Sequence, residues 1–339
     1  IVVSSRIVGY AGAARLSEDY RTTTVRAFTM NDVAQFLHNW HLAVAVGLMG
    51  PGASAAAYAE AQTERLLSAI EANERIRELA INPLMLTVIA LVHRDRVKLP
   101  DRRAELYDEA VDVLLGKRDE AYGVQAIPVL KDAPFDAKDR RLVLEAVALW
   151  MHERQQKEIE VADLRRLLGE YFYAIVGDWR EVERVIDRFL RVIRERTGLL
   201  AEHGVGVYRF SHLTFQEYLA ALAVAGRDDY VAYTLQKVPE DWWREAILLE
   251  AGYLSTQGRA KTTRLIRAIA EAEDEPAPYH NLVLAAECLR DVGARRVEGN
   301  LEAEVQRRLR AELELDVRQE LDRHRLQVFL GGLWRRVRG

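Results

Sequence analysis

Cysteine is nearly absent: Cys288 alone among 339 residues excludes an internal disulfide framework and a cysteine-rich zinc site, and it suits a reducing compartment. Long hydrophobic runs are absent too. Strongly apolar stretches such as Leu84 to Ala90 fall well short of the roughly 18 residues of a membrane span, and no charged-then-apolar leader opens the sequence. An excess of either charge is also lacking. Lys plus Arg number 48 against 52 Asp plus Glu, and the net charge of -4 offers no global attraction to nucleic acid or anionic lipid.

What is present is the balance of a globular protein, 49% hydrophobic and 29% charged. At about 100 to 200 residues per domain the length implies two or three domains. The opening Ile1-Val2-Val3 is a β-branched apolar run ending in Ser4, Ser5 and Arg6, the pattern of a buried strand that delivers polar residues at its C-terminal end. A lone strand needs partners, so the sequence reads as a piece of a longer protein.

From Met30 the helical period takes over, with Val33, Phe36, Leu37 and Trp40 on one face. The GLMGPG stretch from Gly47 to Gly52 breaks it, and a helix resumes near Ala55. In INPLMLTVIALVH, Asn82 caps a helix and Pro83 occupies its first turn, with apolar residues all round predicting burial. ELYDEAVDVLL predicts another helix from about Asp101. Gly123 to Lys138 lacks periodicity, carries Pro128 and Pro134, and reads as a linker between modules.

Beyond it the pattern predicts three helices: about Arg140 to Gln156, Val161 to Tyr171, and one with the stripe Val182, Val185, Ile186, Phe189 and Ile193. GLLAEHGVGVYRFS then reads as two short strands around a GVG turn, followed at once by a helix near Leu213. Three helices and a β-hairpin predict a winged helix. The remainder is helical, with the loose period of stacked helix pairs.

The strings FSHLTFQEYLAA from Phe210, INPLMLTVIALVH and the opening VSSR together resemble the NACHT family of signalling NTPases, within the STAND class. The order of parts over most of the chain is similar, and NLVLAAECLRDVG looks like the repeats that follow in bacterial members. The resemblance implies a mainly α fold: the end of an α/β NTPase core with its sensor strand (1–28), a small helical domain (29–122), a winged-helix domain (123–226) and HEAT-like helical repeats (227–339).

It also implies a cytoplasmic nucleotide-operated switch, held inactive by ADP, driven by ATP to self-associate and serving antiphage defence. The sensed ligand would be a protein, with no membrane or nucleic-acid partner. Three residues carry over as nucleotide-binding. Arg6 would approach the terminal phosphate from the end of the sensor strand, Pro83 would lie near the adenine, and His212 would reach the β-phosphate of ADP through an imidazole N–H. No phosphate loop or acidic Mg²⁺-binding strand is found in the 339 residues, so hydrolysis would require an upstream core that supplies them.

Beside that resemblance stand plainer readings. Pro83 fits a helix start without any ligand, and His212 fits a residue tying the hairpin to the next helix. Phe215, Tyr218, Leu219 and Leu222 form a core stripe, leaving Gln216 and Glu217 to face elsewhere, with Thr214 and Glu217 at capping-box spacing. QGRAKTT from Gln257 lacks phosphate-loop spacing, and AILLEA from Ala246 has a helical stripe rather than that of an acidic strand. His38 and His41 share a helix face without a third ligand, which favours an amphipathic helix surface over a metal site. A winged-helix and helical-repeat scaffold that binds protein or DNA is the rival architecture. Its support is the arginine-rich end, interspersed with acids at i, i+4 spacing.

Overall fold

The computed structural model describes residues 26–72, 74–95, 102–115, 135–193, 199–273 and 279–312, with isolated residues 100, 130 and 314. The opening strand with Arg6, most of the linker and the arginine-rich end past 314 lie outside the described residues. The described part is mainly helical, with a single small sheet among its residues.

Helix α1 (Met30–Met49) starts at a capping box, in which Thr29 accepts from the Asp32 amide while Asp32 accepts from the Thr29 amide. It runs through Gly47 and stops at Gly50, whose φ of 79° only glycine takes easily, so the break falls later than the first glycine predicts. α2 (Ala53–Glu71) returns antiparallel, and the short α3 (Glu74–Ala80) leads into α4 (Pro83–Asp95) and α5 (Arg103–Leu114). Burial of Met85, Leu86, Val88, Ile89, Ala90 and Val92 confirms α4 as a core helix.

α6 (Ala137–Glu153) is capped by Asp136 and Asp139 in a second capping box. It is followed by β1 (Ile159–Glu160), α7 (Val161–Val176) and α8 (Trp179–Val192), then the hairpin β2 (Leu200–Gly204) and β3 (Val207–Phe210). β3 pairs antiparallel with both β1 and β2, giving the order β1-β3-β2. This three-helix unit with its hairpin is a winged helix. The stripe of α8, Val182, Val185, Ile186 and Phe189, is buried, as its period requires.

α9 (Leu213–Ala225) follows, then the helical array α10 (Tyr230–Lys237), α11 (Arg244–Gln257), α12 (Arg259–Glu271) and α13 (His280–Val292), with residues 301–312 helical again. Two apolar cores result. One runs from Val33 on α1 to Leu249 on α11, and the other from Val224 on α9 to Val305. α9 and α11 contribute to both, so each is covered on nearly every side.

That position explains a departure from the sequence reading. Gln216 and Glu217 do not face away from the core; both are buried, and the Gln216 amide donates to the Gln156 carbonyl at 2.9 Å. A periodic stripe reports one covering surface, whereas α9 has α5, α6 and α11 around it. The capping-box spacing fails for a local reason, because His212 occupies the N-cap and Thr214 is already helical. His41 also turns inward, at 3.1 Å from the Thr63 hydroxyl between α1 and α2, rather than lying on an amphipathic surface.

Candidate functional site at the helix ends

The hairpin delivers the chain to α9 in extended form: Ser211 donates its amide to Leu199 at 2.8 Å, and His212 takes φ -141° and ψ 143°. As N-cap, His212 gives its carbonyl to the Phe215 amide at 3.1 Å, but its side chain makes no capping bond. The first amides of α9 are thereby left without a side-chain cap, the electrostatic situation that favours an anion.

The His212 residue is exposed, with its ring 6.3 Å from that of Phe215. Partial desolvation first, and the Arg209 charge second, hold the imidazole below the usual histidine range. At neutral pH the ring is therefore uncharged, with one N–H to donate and one bare nitrogen.

Pro83 begins α4 and is exposed. Asn82 sets the entry: its side-chain oxygen lies 3.4 Å from the Met85 amide, and its carbonyl accepts from Leu86 at 2.9 Å. The Phe28 amide, donating to Ile81 at 2.9 Å, ties the preceding turn to the start of α1. The sequence reading of Asn82 as cap and Pro83 as first-turn residue agrees with this geometry. Arg6 lies outside the described residues.

One side chain that sequence reasoning missed joins the two helix starts. Tyr107 on α5 is 1% exposed, its hydroxyl donates to the Met85 sulfur on α4, and its ring meets the first turn of α9 at Phe215. Its ring packs edge-on to Phe215 at 5.7 Å and stacks on Tyr218 at 5.8 Å. Met85 is two residues from Pro83, and Phe215 is three residues from His212. Burial pushes the Tyr107 phenol up to about 12, so it remains a neutral hydroxyl at any physiological pH. The structure thus brings the first turns of α4 and α9 to one side chain.

Beside it lies a partly buried ionic cluster. Arg141 on α6 pairs with Asp108, with Asp112 at 3.1 Å and with Glu145 at 3.2 Å, and the Tyr218 hydroxyl donates to Asp108 at 2.8 Å. Burial pushes Glu145 up to about 7. A signal for this cluster was present, since Asp108 and Asp112 share a helix face and two carboxylates there call for a cation.

The two strings set aside as decoys lie on helices. AILLEA lies within α11, and QGRAKTT spans the end of α11 and the start of α12. No group of three potential metal ligands occurs among the described residues. None of the described helices is long and apolar enough to cross a membrane.

Residues 103–224 match the family model of the winged helix-turn-helix domain C-terminal to NACHT. This segment is a winged helix of the NACHT-associated type. The match begins at α5, the helix that carries Tyr107, and ends within α9, so it includes His212 and Tyr107 but not Met85 and Pro83 on α4. No curated protein matches the chain. The NACHT-associated winged helix therefore accounts for the centre of the chain, with the α1–α4 helices before it and the helical array after it.

Proposed function

We propose that the chain belongs to a nucleotide-operated signalling switch in which His212 and Pro83 contact a bound nucleoside diphosphate. The observation that carries this reading is the meeting of the α4 and α9 first turns at Tyr107, beside a winged helix of NACHT type. An anion fits the start of α9, where uncapped amides and the imidazole N–H of His212 are all donors. A planar base fits the exposed ring of Pro83.

Under this reading His212 holds the β-phosphate of ADP in the resting form, a contact worth roughly 1.5 to 3 kcal/mol for a hydrogen bond to a charged group. Arg6 would add a guanidinium near the terminal phosphate. Exchange to ATP would release the winged helix and permit self-association, in the cytoplasm and in response to a protein ligand; antiphage defence is the setting we infer. Hydrolysis would depend on a phosphate-binding lysine and Mg²⁺ held upstream, since phosphoryl transfer draws its main electrostatic support from them.

A DNA-binding scaffold is disfavoured by charge pairing around α8, the helix that a DNA-binding winged helix would present. Arg165 pairs with Glu183 at 2.6 Å and with Asp187 at 2.8 Å, while Arg184 and Arg188 pair with Glu181. Arginines neutralised in this way offer little to a phosphate backbone.

The test is nucleotide release: the full-length protein is denatured and its supernatant chromatographed, for wild type and for His212→Ala. We expect ADP from the first and at least about tenfold weaker retention in the second, the equivalent of 1.4 kcal/mol. A wild type that carries no nucleotide and takes up none when ADP is added overturns the switch reading.

A further inference from the structure

The helix that bridges the two first turns also holds the helical array. Arg103, four residues before Tyr107 on α5, pairs with Glu245 on α11 and, at 3.2 Å, with Asp291 on α13. Its neighbour Ala104 is packed so closely against α11 that a Cβ placed on Gly252 would lie 2.7 Å from the Ala104 Cβ. Only glycine at 252 lets the two helices approach this far. The Arg103 guanidinium and its two carboxylate partners are between 16% and 32% exposed, so the pairing is shielded from solvent more than a surface bridge is.

Arg103 and Tyr107 are one helical turn apart, separated by about 6 Å of rise on a rigid three-turn segment. A shift of α5 that parts Tyr107 from Met85 and Phe215 therefore displaces Arg103 from Glu245 and Asp291 as well. Because helix interfaces repack in discrete steps rather than stretching continuously, such a shift is close to all-or-none.

We propose that α5 is the coupling element between the nucleotide site and the helical array, with Tyr107 as its contact at the site and Arg103 as its contact on the array. The inference rests on the nucleotide reading above and adds a direction of communication to it. Tyr107 is a positioning residue: it sets the separation of the α4 and α9 first turns without reaching the ligand itself. By reciprocity, whatever loosens the array from Arg103 weakens the hold on the nucleotide, and nucleotide binding tightens the array.

The experiment follows release of a fluorescent ADP analogue from the full-length protein, for wild type, Arg103→Ala, Arg103→Lys, Tyr107→Phe and the Arg103→Ala/Tyr107→Phe double variant. Tyr107→Phe keeps the buried ring and removes only the hydroxyl, and unchanged melting temperatures identify folded variants. Arg103→Ala is expected to speed release at least about fivefold, the lower end of ordinary allosteric coupling, although Arg103 touches no ligand. Arg103→Lys should stay near the wild-type rate, and the double variant should be no faster than the faster single one, because both act through one helix.

Amide exchange gives the reverse view. ADP should slow exchange in α11 and α13 of the wild type and leave Tyr107→Phe unchanged. Release at the wild-type rate from Arg103→Ala, or effects that multiply in the double variant, overturns the coupling while leaving the nucleotide site intact. Absence of any ADP binding by the wild type removes both.

Discussion

Glu250 is buried at 2% exposure in the middle of α11, with one oxygen accepting from the Thr234 hydroxyl at 2.8 Å and the other without a hydrogen-bond partner among the described residues. Burial pushes its carboxyl up to about 8. A carboxyl with a raised folded pKa stays protonated in the fold while the unfolded chain has lost the proton, so stability falls as pH rises from about 4.5 to about 8. Glu250→Gln should remove this slope and be the more stable form at pH 8, by an amount on the order of a few kcal/mol. His152 contributes the opposite slope. It is fully buried against Trp242 at 5.0 Å and Trp243 at 4.5 Å, and burial, opposed by the Trp242 backbone, holds it down at about 4. Its contribution is complete above about 6.5 and is lost as pH falls towards 4. The two slopes oppose each other between about pH 4.5 and 6.5, so melting temperatures should be nearly level there and fall from about 6.5 to 8, a fall that Glu250→Gln should remove and that His152→Phe should extend down to about 4.5.

Among the helices, the junction of α5, α6 and α9 depends on Arg141. Its guanidinium serves three carboxylates, and deleting it leaves Asp108, Asp112 and Glu145 facing one another in a largely buried site. Arg141→Met should cost about 3 to 5 kcal/mol, the usual consequence of stranding buried charge, whereas loss of an exposed pair such as Arg166 with Asp163 should cost under about 1 kcal/mol. Denaturant midpoints of the two variants measure the difference, and equal midpoints would contradict the burial argument. Element positions were well read from periodicity and caps. The α6–α8 helices, the hairpin and the start of α9 all fell where the pattern put them, because each signal is local. Tyr107 was not legible as a bridge. In ELYDEAVDVLL it is one more apolar-face residue, and its partners lie 22 residues away at Met85 and 108 residues away at Phe215.

Across the whole molecule, the two apolar cores are joined through α9 and α11, which bury residues in both. Unfolding of one core strips those helices of half their cover, so the described parts should melt together rather than in two steps. Trp40 reports on the first core and Trp242 and Trp243 on the second. Tryptophan fluorescence and far-ultraviolet circular dichroism should give coincident denaturant transitions, and two separated midpoints would show that the junction is weaker than its packing implies. The same junction is what α5 would use to pass strain from the helix ends at Pro83 and His212 to the array.

Helix placement, capping at Thr29 and Asp136, the Asn82–Pro83 start, the wing and the kinship to NACHT proteins were all written in short stretches of residues. Such features depend on spacings within one or two turns, which a linear string displays directly. Which helix ends meet, and how many sides of a helix are covered, depends on contacts between residues far apart in the chain. A period of 3.6 marks one covered face and is silent about a second, so the burial of Gln216, Glu217 and Glu250 followed from packing alone. The convergence of α4 and α9 at Tyr107 was likewise settled in three dimensions, where a single buried side chain must find its partners from whatever the fold brings within reach.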